Sequence, residues 1–154
     1  MILDTIGSLI VAAIGAGLGW ATTEFVARPL RRFYDLRSET IRRVSKYGNL
    51  PARYDERHYA DGSVISSEDV TLSKTDLAKL EEARGELRDL AAQMRGLAYN
   101  ETVAVHALQV LGYDPQKASE GLFGLANTVD TTGATRVRNK QIVTEALRLP
   151  EHTL

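Results

Sequence analysis

Hydrophobic positions divide the chain into one continuous apolar run followed by several amphipathic segments. Residues 5–23 carry no ionisable side chain, and a helix of that length would extend about 28 Å, close to the thickness of a bilayer's hydrocarbon core. Its glycines would weaken the helix in water, but in hydrocarbon an unpaired amide is so unfavourable that the helix is retained. Trp20 lies at the end of the run, where an indole ring prefers the interface. The pattern therefore predicts a transmembrane helix over 5–23, after a short tail over 1–4.

Two other interpretations of the apolar run remain open. The small residues Gly19 and Ala21 flank Trp20 as in a signal-peptidase site, which would make the run a cleaved export signal, although no positive segment precedes it. A buried helix of a soluble protein is disfavoured because the run is apolar around its whole circumference. For a retained helix, the basic residues follow the run and none precedes it. The positive-inside rule then places the N-terminus outside and the bulk of the chain in the cytoplasm, at a bacterial type of inner membrane.

Gly15 and Gly19 form a G-x-x-x-G pair within the apolar run. Small residues four apart let two membrane helices approach closely, so this face is a candidate site of self-association. The alternative is that the glycines only reflect the general abundance of glycine in membrane spans.

Residues 24–48 are predicted to form a basic amphipathic helix. Its apolar positions recur every three or four residues, with one longer step at Thr40. The helix has Pro29 near its start and is stopped by Gly48 and Asn49. The apolar stripe comprises Leu30, Phe33, Leu36, Ile41, Val44 and Tyr47.

The simplest interpretation of this helix is that it lies along the cytoplasmic membrane face, where each basic residue contributes about 1 kcal/mol of attraction to anionic headgroups. The predicted membrane-interface residues are Trp20, Arg28, Arg31, Arg32, Phe33, Arg37, Arg42, Arg43 and Lys46. In a second interpretation the apolar stripe packs on the downstream helices instead of on lipid. Nucleic-acid binding is not expected, because no base-reading motif accompanies the arginines.

A helical domain is predicted over 73–149, before a tail over 150–154, with helices at about 74–98, 101–111, 115–129 and 136–149. The first of these helices carries a heptad seam that could pack within the chain or against a second copy. The predicted helix–helix interface residues are Gly15, Gly19, Leu80, Leu87, Leu90, Met94 and Leu97.

Local signals mark where these helices begin and end. Ser73 and Asp76 resemble a capping box, and Asn100 is a candidate N-cap for the next helix. Gly112, Asp114 and Pro115 indicate a helix end followed directly by a new start. Residues 130–135 are expected to form a turn before the last helix.

The polar segment over 49–72 is predicted to be a loop with a possible short hairpin. It contains Asp55, Glu56, His58 and Asp61. Their spacing matches no known metal or acid–base motif, so neither metal nor catalysis is assigned to them.

Composition narrows the class of protein further. The chain has 154 residues and no cysteine, which rules out disulfides, thiolate nucleophiles and cysteine-based zinc sites. Aromatic residues make up only 6% of the chain, which favours a helical core. The net charge of −1 conceals an uneven distribution of charge along the chain. Residues 24–53 are basic, with eight basic and three acidic residues, and residues 55–101 are acidic, with eleven acidic and six basic residues. The basic block therefore directly follows the apolar run.

Together these patterns predict an all-α protein with a single N-terminal transmembrane helix, a basic juxtamembrane helix and a small cytoplasmic bundle or hairpin. No catalytic motif is found, so a non-enzymatic interaction or scaffold role is expected, with no cofactor and no metal. The expected partners are a lipid bilayer with anionic headgroups, a second copy of the chain and a protein that the sequence does not identify. The alternatives are an exported helical protein, a small membrane-active protein acting through its basic helix, and an enzyme with its site in the 53–72 segment.

Overall fold

The structure is a computed structural model that describes residues 19–20, 22–48, 50–51, 54–58, 64–66 and 72–150, with the backbone alone for 54–58 and 64–66. The predicted transmembrane helix lies mostly outside these residues, as does Gly15. Within the described ranges, no helix combines the length and the apolar character that a membrane crossing requires.

The described part of the chain is mostly helical, as the sequence predicts. A π-helical turn, Thr23–Ala27, leads into five α-helices. These are α1 (Arg28–Tyr47), α2 (Lys74–Asn100), α3 (Thr102–Val110), α4 (Pro115–Asn127) and α5 (Ala134–Ala146). When the π-helical turn is counted with α1, the ends of these five helices lie within three residues of their predicted positions.

The helix starts follow from hydrogen bonds that involve only neighbouring residues. The Ser73 hydroxyl accepts a hydrogen bond from the Asp76 amide at 3.1 Å, and the Asp114 carboxylate accepts one from the Lys117 amide at 3.0 Å. These two side chains occupy amides that the first helical turn leaves unpaired. The prediction for Asn100 is wrong: Asn100 is the last residue of α2, and α3 begins after Glu101, without a side-chain cap.

The predominantly helical fold fits the all-α prediction, and three short strands accompany the helices in the described part of the chain. β1 (Tyr54–His58) pairs antiparallel with β2 (Val64–Ser66), which is the hairpin considered for the polar segment. β3 (Thr131–Thr132) pairs parallel with β1 from the segment predicted as a turn, giving the order β2-β1-β3. A two-residue strand paired with a distant segment leaves no periodic signal in the sequence.

Helix α2 lies at the centre of the bundle. It packs most extensively on α4, α4 packs on α5, and α1 covers another face of α2. The heptad seam of α2 is buried throughout, with no side chain more than 3% exposed. The seam residues are Leu80, Ala83, Leu87, Leu90, Met94 and Leu97. The structure therefore places the seam against helices of the same chain.

A buried polar contact also joins α2 to α4. The Ser119 hydroxyl, only 2% exposed, donates a hydrogen bond to the Ala91 carbonyl at 2.9 Å. Satisfying this hydroxyl removes the desolvation cost of burying it and fixes the two helices in one register.

Helix α3 buries only part of its apolar surface. Ala104 and Leu108 are fully buried, whereas Val103, Val110 and Leu111 are at least half exposed. An apolar helix with few polar residues offers several equivalent stripes, and its neighbours decide which of them is covered.

Candidate functional site

The apolar stripe of α1 lies in the protein core. Phe33 is completely buried, and Leu36, Val44 and Tyr47 are each no more than 6% exposed. The longer step in the stripe is filled by Thr40, which is also fully buried and donates its hydroxyl to the Leu36 carbonyl at 2.8 Å. The assignment of Phe33 to a membrane interface is therefore wrong for this fold, because packing on the bundle already removes its ring from water.

An aromatic cluster holds the middle of α1 against the segment that follows α3. The rings of Phe33 and Tyr113 lie edge to face with centroids 5.1 Å apart, and Tyr34 completes the cluster at 6.0 Å from Tyr113. Such edge-to-face pairs add to the stabilisation that comes from buried area. α1 is therefore part of the bundle rather than a separate surface helix.

Arg37 makes a tertiary contact that its position in a basic stripe does not reveal. Its Nε donates to the Leu147 carbonyl at 2.9 Å, and its Nη2 donates to the Arg148 carbonyl at 3.1 Å. These carbonyls follow the last turn of α5, where backbone acceptors lack helical partners and a cation is favoured. Arg37 thus ties α1 to the C-terminal end of α5.

Two further basic residues of α1 pair with acidic residues of α2. Arg43 donates to the Glu86 carbonyl at 3.3 Å, and Lys46 lies 2.9 Å from the Glu82 carboxylate. The Tyr47 hydroxyl donates to the same Glu82 carboxylate at 3.0 Å. Arg43 and Lys46, both predicted membrane-interface residues, therefore help to position α1 on α2.

Glu39 forms ion pairs with two arginines on its own helix. It accepts hydrogen bonds from Arg42 at 2.8 Å and from Arg43 at 2.6 Å. Hydrogen bonds from Arg42 and then Arg43 lower the pKa of Glu39 from 4.5 to about 2.

The pKa of Glu39 leads to a prediction about acid stability. Because the folded value is lowered, its contribution is fully present above pH 4.5 and is lost as the pH falls towards about 2. Glu39→Gln should remove this acid-dependent part of the free energy of unfolding, less than about 1 kcal/mol for a largely solvated pair. The measurement is urea unfolding of both proteins across this pH range.

The control for this measurement is Asp35→Asn, an exposed position on the same helix. This variant should keep the acid-dependent loss attributed to Glu39. Identical pH profiles for the native protein and Glu39→Gln would contradict the prediction.

Four of the predicted interface residues are exposed at one end of the bundle, whereas Arg42 and Lys46, exposed near the C-terminal end of α1, pair with Glu39 and Glu82. Arg28, Arg31 and Arg32 are exposed on the first turns of α1, and Arg28 forms an ion pair with Glu24. Trp20 is 63% exposed. A Cβ added at Gly19 would meet no heavy atom of another described segment within 4 Å.

The π-helical turn meets the corner between α2 and α3 at this same end. Phe25 lines a small groove of about 160 Å³ together with residues of the corner. The other lining residues are Asn100, Glu101, Thr102 and Val103. A neighbouring groove of about 300 Å³ brings Glu101 beside Arg28 and Arg32.

Three exposed apolar residues at this end were not among the predicted interface residues: Phe25, Tyr99 and Val103, which are 54%, 61% and 60% exposed. The exposure of Tyr99 could have been predicted from the sequence, because Tyr99 falls two positions after Leu97 and so lies off the buried seam. The exposure of Val103 could not, because Val103 belongs to an apolar helix whose covered face depends on packing alone.

The polar segment that carries the other acidic residues and His58 is described only in part. Asp55, Glu56 and His58 belong to β1, and Asp61 lies outside the described residues. Among the residues that the structure describes, no group of three potential metal ligands comes together.

A groove of about 680 Å³ lies between the start of α4 and the end of α5. Its ionisable groups include Asp114, Lys117, Glu120 and Glu145, which are of mixed sign. The Asp114 carboxylate is already engaged in capping α4. The groove therefore has no dominant charge that would select an ionic ligand.

Comparison with protein-family models, with curated proteins and with solved structures gives no match for this chain. The described residues define a mostly helical bundle with a small sheet. One end of that bundle combines exposed aromatic, aliphatic and basic side chains next to the uncharged N-terminal run.

Proposed function

We propose that this is a non-enzymatic, single-pass membrane protein whose helical bundle serves as a tethered interaction or scaffold module. Residues 5–23 form the anchor, the N-terminus lies outside, and the bundle lies in the cytoplasm. One observation carries the proposal: the uncharged run joins the bundle at an end where Trp20 and Phe25 are exposed and exposed arginines follow. Interfacial aromatics followed by cytoplasmic arginines are the expected order at the inner boundary of a membrane helix.

The packing of α1 supports this arrangement over one in which α1 itself lies on lipid. Its apolar stripe is buried in the core, and Arg37 and Arg43 make contacts within the bundle. Membrane attachment is then left to the N-terminal run and to residues near it.

The interaction role is supported by exposed apolar side chains away from the N-terminal end. Val110 and Leu111, adjacent at the end of α3, are 77% and 50% exposed. Val137 on α5 is 65% exposed. A protein partner or a second copy of the chain would gain by covering them, because buried apolar area stabilises association.

The anchor is tested by placing charges in the middle of the run. Ile10→Arg combined with Ile14→Arg should shift the protein from the carbonate-resistant membrane fraction to the soluble fraction. Each arginine at the centre of a span costs about 3 kcal/mol of insertion free energy, so two of them exceed what this weakly hydrophobic run gains. The matched control, Ile10→Leu with Ile14→Leu, should remain in the membrane.

Two additional measurements complete the test. The intact mass of the membrane protein should include residues 1–21, whereas a mass lacking them would identify a cleaved export signal and contradict the anchor. A C-terminal reporter should be active only in the cytoplasm, and activity outside would contradict the orientation.

A further inference from the structure

We propose that the bundle docks end-on onto the anionic headgroups of the membrane, through a surface that we call the end surface. It is formed by the π-helical turn, the first turns of α1 and the corner between α2 and α3. Its members are Phe25, Arg28, Arg31, Arg32, Tyr99 and Val103. This inference rests on the proposed anchor and specifies the orientation in which the anchor holds the bundle.

The apolar part of the end surface is concentrated rather than scattered. Phe25 and Val103, both more than half exposed, line the same groove, and the exposed Tyr99 directly precedes another lining residue, Asn100. A fourth exposed side chain, Trp20, lies just before the end surface, with its ring centroid 6.0 Å from that of Phe25. Clustered exposed apolar side chains indicate a contact surface, whereas isolated ones need no explanation.

The charge of the end surface is suited to an anionic layer. Arg28, Arg31 and Arg32 are exposed on α1. Arg95 lies over the Tyr99 ring at 5.6 Å from its centroid. Acidic groups in the same region include Glu24, which pairs with Arg28, Glu101, and Asp35 one turn after Arg31. The basic groups outnumber the acidic ones, which favours attraction to phosphate headgroups.

The connection of the uncharged run to the bundle indicates that the end surface contacts lipid. Residues 5–18 have no ionisable side chain and connect to the bundle at this end. With 5–23 as the anchor, the end surface is held within a few residues of the bilayer. Tyrosine and tryptophan side chains prefer that depth, because each has an apolar ring and a polar group.

The directions of α1 and α3 make the docking end-on. At the start of α1, Phe25 lies beside Val103. Further along α1, Phe33 lies against Tyr113, just after the end of α3, with ring centroids 5.1 Å apart. Both helices therefore leave the end surface in the same direction. Val103 is close to the headgroups in this arrangement, and Val110, seven residues later, is about 10 Å farther away.

The chain is well suited to a direct test, because it contains no cysteine and a single tryptophan. Val103→Cys and Val110→Cys provide matched labelling sites, both exposed and on the same face of α3. Each full-length variant is labelled with an environment-sensitive fluorophore. It is then reconstituted in vesicles of phosphatidylethanolamine and phosphatidylglycerol that carry a headgroup-attached quencher. Trp20 fluorescence in the unlabelled protein, with the same quencher, reports independently on the anchor.

We expect quenching at position 103 to exceed quenching at position 110 by about threefold or more. Replacing Arg28, Arg31 and Arg32 by glutamine should reduce the ratio of quenching at position 103 to quenching at position 110 towards one, because these arginines provide the attraction to anionic lipid. Phosphatidylcholine vesicles should have the same effect, because their headgroups carry no net charge. Trp20 quenching should remain unchanged in both cases, because the apolar run alone retains the anchor.

Equal quenching at positions 103 and 110, with Trp20 still quenched, would overturn end-on docking while leaving the anchor intact. Loss of Trp20 quenching in the native protein would overturn the anchor and the docking together. A third outcome is that the fluorophore at position 103 becomes less accessible to the quencher as the number of protein copies per vesicle rises, also in phosphatidylcholine vesicles. That result would overturn docking on lipid in favour of a second copy of the chain on the end surface.

Discussion

Leu90→Ala is expected to lower the free energy of unfolding by about 2–5 kcal/mol. Leu90 is 1% exposed on α2, the central helix of the bundle, and belongs to the seam between α2 and its neighbours. Truncation removes buried methyl groups, and the surrounding helices cannot close the space fully because α4 is also held by Ser119. The measurement is urea unfolding of the full-length protein in mild detergent, followed by far-ultraviolet circular dichroism.

The matched control is Leu77→Ala on the same helix. Leu77 is 40% exposed, so the same truncation there should cost less than about 1 kcal/mol. Because the seam is buried within one chain, the unfolding midpoint should not depend on protein concentration. A midpoint that rises with concentration, together with a small effect of Leu90→Ala at high concentration, would show that the seam pairs second copies instead.

Gly121→Val is expected to destabilise the protein by about 2 kcal/mol or more, through overpacking. A Cβ at Gly121 would lie 2.7 Å from Val143 Cγ2 and 3.2 Å from the Asn139 carbonyl oxygen. Val143 is completely buried, so its methyl group cannot swing into solvent. A Cβ added at Gly124, one turn further along α4, would likewise clash with the Asn139 side chain. α4 and α5 can therefore approach closely only because these positions lack side chains.

Gly85→Val on α2 provides the comparison for this substitution. A Cβ at Gly85 would have no heavy atom of another segment within 4 Å, so the change affects only local helix propensity. Valine is a better helix former than glycine, by less than about 1 kcal/mol, and the expected effect is neutral to slightly stabilising. Equal effects at positions 85 and 121 would refute close packing between α4 and α5.

Most helix boundaries could be predicted from the sequence because they depend on neighbouring residues. Ser73 and Asp114 cap helices through amides three positions away. Gly112 adopts a positive φ of 83° at the end of α3, a conformation that glycine reaches without steric cost. The seam of α2 was visible for the same reason, since its periodicity is a property of one helix.

The tertiary structure alone decided what each apolar stripe covers. A helix has the same spacing of apolar residues whether its partner is lipid, a second copy or another part of its own chain. The stripe of α1 was therefore assigned to a membrane surface, although Phe33 is buried in the core. In the same way, the sequence assigns Arg37 to the membrane interface, yet Arg37 donates to the Leu147 carbonyl at the end of α5, 110 residues away in sequence.

The sequence by itself thus determined the uncharged run, the positions of the helices and the basic block that follows the run, because all three depend on residues close together in the chain. The folded bundle determined which of those basic and apolar residues remain outside. Contacts of α1 with the rest of the bundle occupy Arg37, Arg43 and Phe33, and leave Phe25, Arg28 and Arg32 exposed at one end. Only the exposed side chains are available to a membrane, because a side chain that the fold already covers cannot contact lipid.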